Sequence, residues 1–429
     1  MNRYNSYKDS GVEWVGEIPK HWKQIKLKHQ YKIQKGKIPK NLYDEFTDGL
    51  VPYLSMDVLR GSNSYNFTDI NDGVLVKKDE ILILWDGSNS GEIIKVEIDG
   101  ILSSTMGILN KTNNYLNNDF SFYQLKYNEP EIRNNTNGMG IPHVDGGYVR
   151  NLPFFVPPIQ EQEQIVAYLD KKTAIVDTLI SSKEKKINIL KEKRTALINH
   201  VITKGLDPNV KFKDSGFDLI GEIPAHWEMK RVSNFGTFAK GKGIKKDEVL
   251  DFGLPCIRYG EIYTKYERVV YETISFINES SSLNSISVSK GCVLFAGSGE
   301  TIVDIGKSIV WMGENTIYVG GDIITLKLHQ NINPLYISYL LMTNFVQHQK
   351  SVAGKGEIIV HIYAKNIKEI KTPFPPISEQ QKIVEYLDTQ TKEIDELILL
   401  EQKKIVTLKE YRQALISEVV TGKINVIKD

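Results

Sequence analysis

Residues 20–40, KHWKQIKLKHQYKIQKGKIPK, carry eight lysines and no Asp or Glu. A second acid-free basic stretch, 230–246, contains Lys230, Arg231, Lys240, Lys242, Lys245 and Lys246. Each holds a glycine element: Lys35-Gly36-Lys37, with Lys40 just beyond, and Lys240-Gly241-Lys242-Gly243. Lysines neutralise phosphate charge, and bare glycine backbone lets a phosphate chain come close. One such run is an ordinary solvated surface. Two at matching places, in a chain with 54 basic and 53 acidic residues, point to a polyanion held by local rather than net charge. Reading base edges needs paired donors and acceptors. Arg60, Asn63, Ser88, Asn89 and Asn137 offer these in the first half, and Arg258, Glu261, Ser298, Glu300, Lys355 and Glu357 in the second.

Catalytic patterns fail on inspection. Gly306-Lys307-Ser308 resembles the end of a P-loop, but Thr301 stands where that loop needs its first glycine. The Pro-Pro-Ile triplets at 157–159 and 375–377 lack the amide or carboxylate before the prolines, and the aromatic after them, that an amino-group methyltransferase uses. Val156 and Phe374 precede them, and Ile159 and Ile377 close them. The eight histidines form no HExxH or close cluster, so no metal site is expected. His143 and His361 are read as structural hydrogen-bonding residues. Cys256 and Cys292 are read as buried thiols in a reducing compartment.

These residues sit on a duplicated chain. YKDSGVEWVGEIPKHW (7–22) returns as FKDSGFDLIGEIPAHW (212–227), with ten of 16 positions identical. Residues 157–205 match 375–423 at 26 of 49 positions without a gap. Between these segments the halves diverge, leaving Pro52 with Pro255, Gly87-Ser88 with Gly297-Ser298, and His143 with His361 as faint echoes. A shared fold with different surface chemistry leaves this pattern.

The long matched segments predict helices. Ile165, Leu169, Val176, Leu179, Ile187, Leu190, Leu197 and Val201 recur at helical spacing, as do Ile383, Leu387, Ile394, Leu397, Ile405, Leu408, Leu415 and Val419. Double prolines precede both, and Gly205 and Gly422 stand at the expected stops. About 40 residues would span roughly 60 Å. Neither helix is hydrophobic all round. The simplest burial is one against the other, as a coiled coil about a pseudo-two-fold axis. The alternative is a separate helical partner for each. Segments 76–88 and 288–299 predict buried strands running into glycine-serine loops, and 116–127 and 332–344 predict short amphipathic helices. KGLDPNVK (204–211) has turn chemistry and marks a boundary. At 429 residues, more than one core is expected. The polar N-terminus and the absence of a long apolar run predict a cytoplasmic protein with no membrane partner.

The twin G-E-I-P-x-H-W segments (16–22, 221–227), the P-P-I-x-E-Q helix entries (157–162, 375–380) and the R-x-A-L-I-x-x-V-[IV]-T stretches (194–203, 412–421) resemble the specificity subunits of type I restriction–modification systems. The resemblance implies an α+β protein in which two mixed α/β target-recognition domains are joined by two long antiparallel coiled-coil helices. The expected divisions are 1–156, 157–205, 206–374 and 375–429. It implies a non-catalytic subunit whose domains each read half of a bipartite site in double-stranded DNA. The helices would set the spacer and dock two methyltransferase subunits, with restriction subunits joining them. No cofactor is expected in this chain. S-adenosylmethionine, ATP and magnesium would serve the partners. A protein–protein scaffold and an autonomous DNA-modifying enzyme are the competing classes.

Overall fold

A computed structural model describes residues 3–62, 65–113, 115–138, 140–356 and 359–427, so Asn63 and Glu357 lie outside the described residues. The chain divides into two compact units, 1–184 with 402–429, and 185–401. Two long helices, the central Ile159–Lys204 and the terminal Ile377–Val420, each contribute one end to each unit. They begin immediately after Pro157-Pro158 and Pro375-Pro376, whose rings cannot continue a helix backwards. Gly205 and Gly422 follow at φ +73° and +71°, the left-handed turn that a glycine makes without steric cost.

In the first unit, Ile81–Leu84 is buried along its whole length and pairs antiparallel with Met106–Lys111, which pairs in turn with Tyr31–Lys35. A second four-stranded sheet contains Leu50–Leu54 beside Gly100–Leu102. The helix Asn118–Asn134 is capped by Asn117, whose side chain accepts from the backbone of Asp119 and Phe120. Four apolar residues in a row bury Ile81–Leu84 on both faces, as the sequence predicts. The core gathers Trp22, Tyr31, Phe120, Phe154 and Phe155, and takes Ile165 and Leu169 from the central helix and Leu415, Ile416, Val419 and Val420 from the terminal one.

The second unit repeats this plan. The buried strand Val293–Ala296 pairs with Ile323–Leu328, which pairs with Gly236–Lys240. Pro334–Leu340, capped by Asn333, and Asn344–Ala353 stand where the first unit has one helix. Its core holds Trp227, Phe235, Phe295 and Tyr336, with Ile383 and Leu387 from the terminal helix and Ile198, Val201 and the half-buried Leu197 from the central one.

The buried and half-buried line along the middle of each helix keeps the expected Val176, Ile187 and Leu190, and Ile394, Ile405 and Leu408, but passes through Ile180 and Ile398 rather than Leu179 and Leu397. It runs Thr173, Val176, Ile180, Lys183, Ile187, Leu190, and in the terminal helix Thr391, Ile394, Ile398, Glu401, Ile405, Leu408. Leu179 and Leu397 are 44% and 43% exposed. Steps alternating between three and four keep residues on one stripe, and from Val176 the step of four reaches Ile180. Within the first unit Arg412 pairs with Asp177 at 2.9 Å, and within the second Arg194 pairs with Asp395 at 3.0 Å and Lys186 with Glu401 at 2.9 Å. Arg194 and Arg412 are repeat equivalents, as are Asp177 and Asp395, so one ion pair appears twice with its partners exchanged. No described helix is long and apolar enough to cross a membrane.

Candidate nucleic-acid interface

The motifs common to both halves meet each other first. Glu161, at the start of the central helix and 7% exposed, accepts hydrogen bonds from the Trp22 indole (2.8 Å) and the Tyr4 hydroxyl (2.6 Å), and lies 2.9 Å from His21 Nε2. Burial, then the hydrogen bond to Glu161, push the Tyr4 hydroxyl far above its ordinary pKa. Glu379 repeats the arrangement with Trp227 (2.9 Å) and His226 (2.7 Å). Next door, Gln162 accepts from the Asn117 backbone (2.7 Å) and donates to the Pro157 carbonyl (2.9 Å), while Gln380 accepts from Asn333 (3.0 Å) and donates to Pro375 (2.9 Å). The Glu-Gln dipeptide thus ties the leading H-W segment, the helix entry and the cap of the domain helix together. A buried indole N–H or carboxylate is costly unless paired, which explains why these types recur in both halves. Sequence reasoning located the motifs but not their union, because the partners lie 139 and 152 residues apart. The one available signal was that His, Trp and Glu recur together.

The basic elements sit on the divergent parts. Lys35 ends the strand Tyr31–Lys35 opposite Gly107, and Lys240 ends Gly236–Lys240 opposite Ile324. The next residue, Gly36 or Gly241, donates to Met106 or Ile323. A Cβ there would sit 2.2 Å from the Ser103 carbonyl oxygen or 2.0 Å from that of Gly320, so only glycine fits. Lys37, Lys40, Lys242, Lys245 and Lys246 are exposed. In the second unit Lys240, Lys242, Lys246 and Arg258 line one open groove of about 1040 Å³, together with Lys265, Tyr259 and the bare backbone of Gly320-Gly321. Lys245 lies beside it on the chain but outside its lining. Arg258 is already engaged, bonded to Glu261 through Nε (3.0 Å) and Nη2 (2.9 Å).

This groove adjoins a pair of two-residue strands, because Gly297 donates to the carbonyl of Asp322 on the groove floor. There Ser298 pairs with His361, and His361 exchanges backbone hydrogen bonds with Lys355. In the first unit Asp86 bridges to His143, and His143 pairs with Asn137. The equivalence of His143 with His361 holds. That of Gly87-Ser88 with Gly297-Ser298 is off by two, because Asp86 rather than Ser88 occupies the place of Ser298. Ser298 itself is 3% exposed, with its hydroxyl 3.0 Å from His361 Nδ1, so in this conformation it faces its own domain. Ser88, Asn137, Glu300 and Lys355 are exposed and Asn89 half-buried. Arg60 is exposed but paired with Glu92 at 2.5 Å. Asp86 is held below the usual carboxylate range: partial burial raises its pKa, but hydrogen bonds from Lys35 and His143 outweigh that. Burial pushes both the Cys256 and Cys292 thiols up to about 12.

The description "Type I restriction modification DNA specificity domain" matches residues 19–190 and again 224–410. The chain belongs to this family. The family's two domains here correspond to the two copies of the Glu-Gln junction. The type I restriction enzyme MjaVIII specificity subunit of Methanocaldococcus jannaschii is 30% identical over 421 residues, covering 95% of this chain and 94% of that one. The MjaIX specificity subunit of the same organism is 23% identical over 440 residues, covering 96% and 95%. A solved structure described under complex assembly and conformational transition of the type I R-M system is 16% identical. It superposes with a TM-score of 0.69 over 95% of this chain and 99% of that one, a likeness of fold.

Proposed function

We propose that each unit reads one half of a bipartite site in double-stranded DNA, and that the chain contributes recognition and no catalysis to its complex. The two long helices pair as an antiparallel coiled coil, set the number of base pairs between the half-sites, and dock two methyltransferase subunits. Restriction subunits complete the endonuclease. S-adenosylmethionine, ATP and magnesium belong to those partners, and the site of action is the cytoplasm. The observation that carries this reading is the exchanged ion pair: Arg194 with Asp395 in one unit, Arg412 with Asp177 in the other. An ion pair repeated with its partners reversed is the signature of two-fold pairing, and two equivalent faces suit two copies of one partner.

The spacer test needs an insertion that spares the domains. An insertion near the end of the central helix would disturb the second unit's core, where Leu197 and Ile198 pack. Four residues placed after Lys183 and four at the equivalent point after Glu401 lengthen both helices by about 6 Å. Methylome sequencing of cells carrying the variant and its partners is expected to show both half-sites intact and the spacer longer by roughly one or two base pairs, at about 3.4 Å each. A spacer that stays fixed while modification remains efficient removes the helices from this role.

A further inference from the structure

Two domains that read different sequences must differ in their base-reading side chains. Phosphates are the same in every sequence, so side chains that bind them can be kept. Between the divergent regions, the charged or imidazole groups kept at equivalent backbone positions include Lys35 with Lys240 and His143 with His361.

In the first unit these two side chains converge. Lys35 Nζ lies 2.9 Å from Asp86 Oδ2, and His143 Nδ1 lies 2.7 Å from Asp86 Oδ1. The amine and the imidazole therefore hold the two oxygens of a single anion. Both remain reachable, with side-chain exposures of 45% and 52%. In the second unit the same place holds Ser298, a neutral hydroxyl 3.0 Å from His361. Among the described residues no carboxylate lies within ion-pair distance of Lys240.

Resting on the DNA-reading role above, we propose that Lys35 with His143, and Lys240 with His361, are two copies of one binding subsite for a DNA phosphodiester. Asp86 stands in for the phosphate in the first copy and weakens it, whereas the second copy carries no such competitor. These subsites position each domain on the duplex and carry no sequence information.

The test uses the full chain bound to its methyltransferase partners. Affinity is measured against salt by fluorescence anisotropy on a duplex carrying the methylated site and on a scrambled duplex. Lys240→Gln with His361→Gln is expected to weaken both duplexes by the same factor, roughly three- to thirtyfold. The magnitude of the salt slope should fall by about 0.9 for each phosphate that is no longer neutralised. Asp86→Ser should tighten binding and steepen the slope, and Ser298→Asp should do the reverse, with the methylome motif unchanged in every case. Unequal weakening on the two duplexes, or a changed motif, would make these residues base readers and overturn the proposal. So would unchanged affinity and slope in variants that melt normally. For a variant that melts early, single methylphosphonate substitutions replace the mutation. Wild type should then bind more weakly at one phosphate per half-site, and weakening at none overturns the proposal. If the wild-type complex itself fails to prefer its site, the DNA-reading role has failed rather than this subsite.

Discussion

The two units keep the same junction and change almost everything that faces away from it. Glu161 and Glu379 receive an indole and an imidazole, and Gln162 and Gln380 hold the cap of the neighbouring helix. Beyond that, Asp86 is replaced at the equivalent position by Ser298, the polar loop at 87–90 by a longer one whose Ile302 and Val303 are exposed, and Ile132 by Lys350. Ile132 approaches Gly91 as Lys350 approaches Gly306, and both are 1% exposed. Among the described residues the amine of Lys350 has only the Leu341 carbonyl (3.2 Å) and the Gln347 amide oxygen (3.3 Å) as hydrogen-bond partners. Duplication thus preserved what closes the domain on its helix and released what points outward, and in one place it released the core too.

The largest effect should come from breaking the junction. Glu161→Ala leaves the Trp22 N–H and the Tyr4 hydroxyl without their acceptor, at about 3 kcal/mol. Glu379→Ala should cost less, because the Glu379 side chain is 35% exposed against 7% for Glu161. Calorimetric melting of both variants tests the ranking, and equal shifts would deny that burial of the acceptor matters.

Next comes the core exchange. Burial lowers the Lys350 amine to about 7 from 10.5. The folded state therefore binds fewer protons than the unfolded state between those values, and wild-type stability should rise as pH climbs through that window. Lys350→Ile should stabilise the second unit by a few kcal/mol below pH 7 and lose that advantage toward pH 10. Denaturant melts at several pH values read this directly. An advantage that does not depend on pH would mean the amine is solvated.

The smallest effect concerns the exchanged ion pairs. Double-mutant cycles on Arg194 with Asp395 and on Arg412 with Asp177 should each give about 0.5 kcal/mol, typical of half-exposed pairs. They should agree with each other, and a clear difference would break the equivalence of the two pairs.

How far the sequence carried can be seen at particular residues. The duplication, the helix limits at Pro158 and Gly205, and the buried strands at 81–84 and 293–296 were legible, because each rests on local chemistry: proline, glycine, or an apolar run. The choice of Ile180 over Leu179 on the helix stripe was not, since the two are equally apolar and only the three-dimensional neighbour chooses between them. The pairing of Asp86 with His143 was hidden by loops of unequal length, which shifted the alignment by two. Arg60 and Arg258 looked alike in sequence, yet one follows the short helix Met56–Leu59 and the other caps the start of Tyr259–Thr264.

The division of each long helix between two units has a consequence for the order of events during synthesis. The second unit is one continuous stretch, 185–401. The first is not: its core needs Leu415, Ile416, Val419 and Val420, and the buried Gln124 donates to the Val420 carbonyl at 2.8 Å. A ribosome adding about 5–20 residues per second needs roughly ten to fifty seconds to travel from residue 184 to residue 415. Through that interval the amino-terminal domain stands open along the face where the terminal helix will lie, its apolar cleft finished last although its strands emerged first.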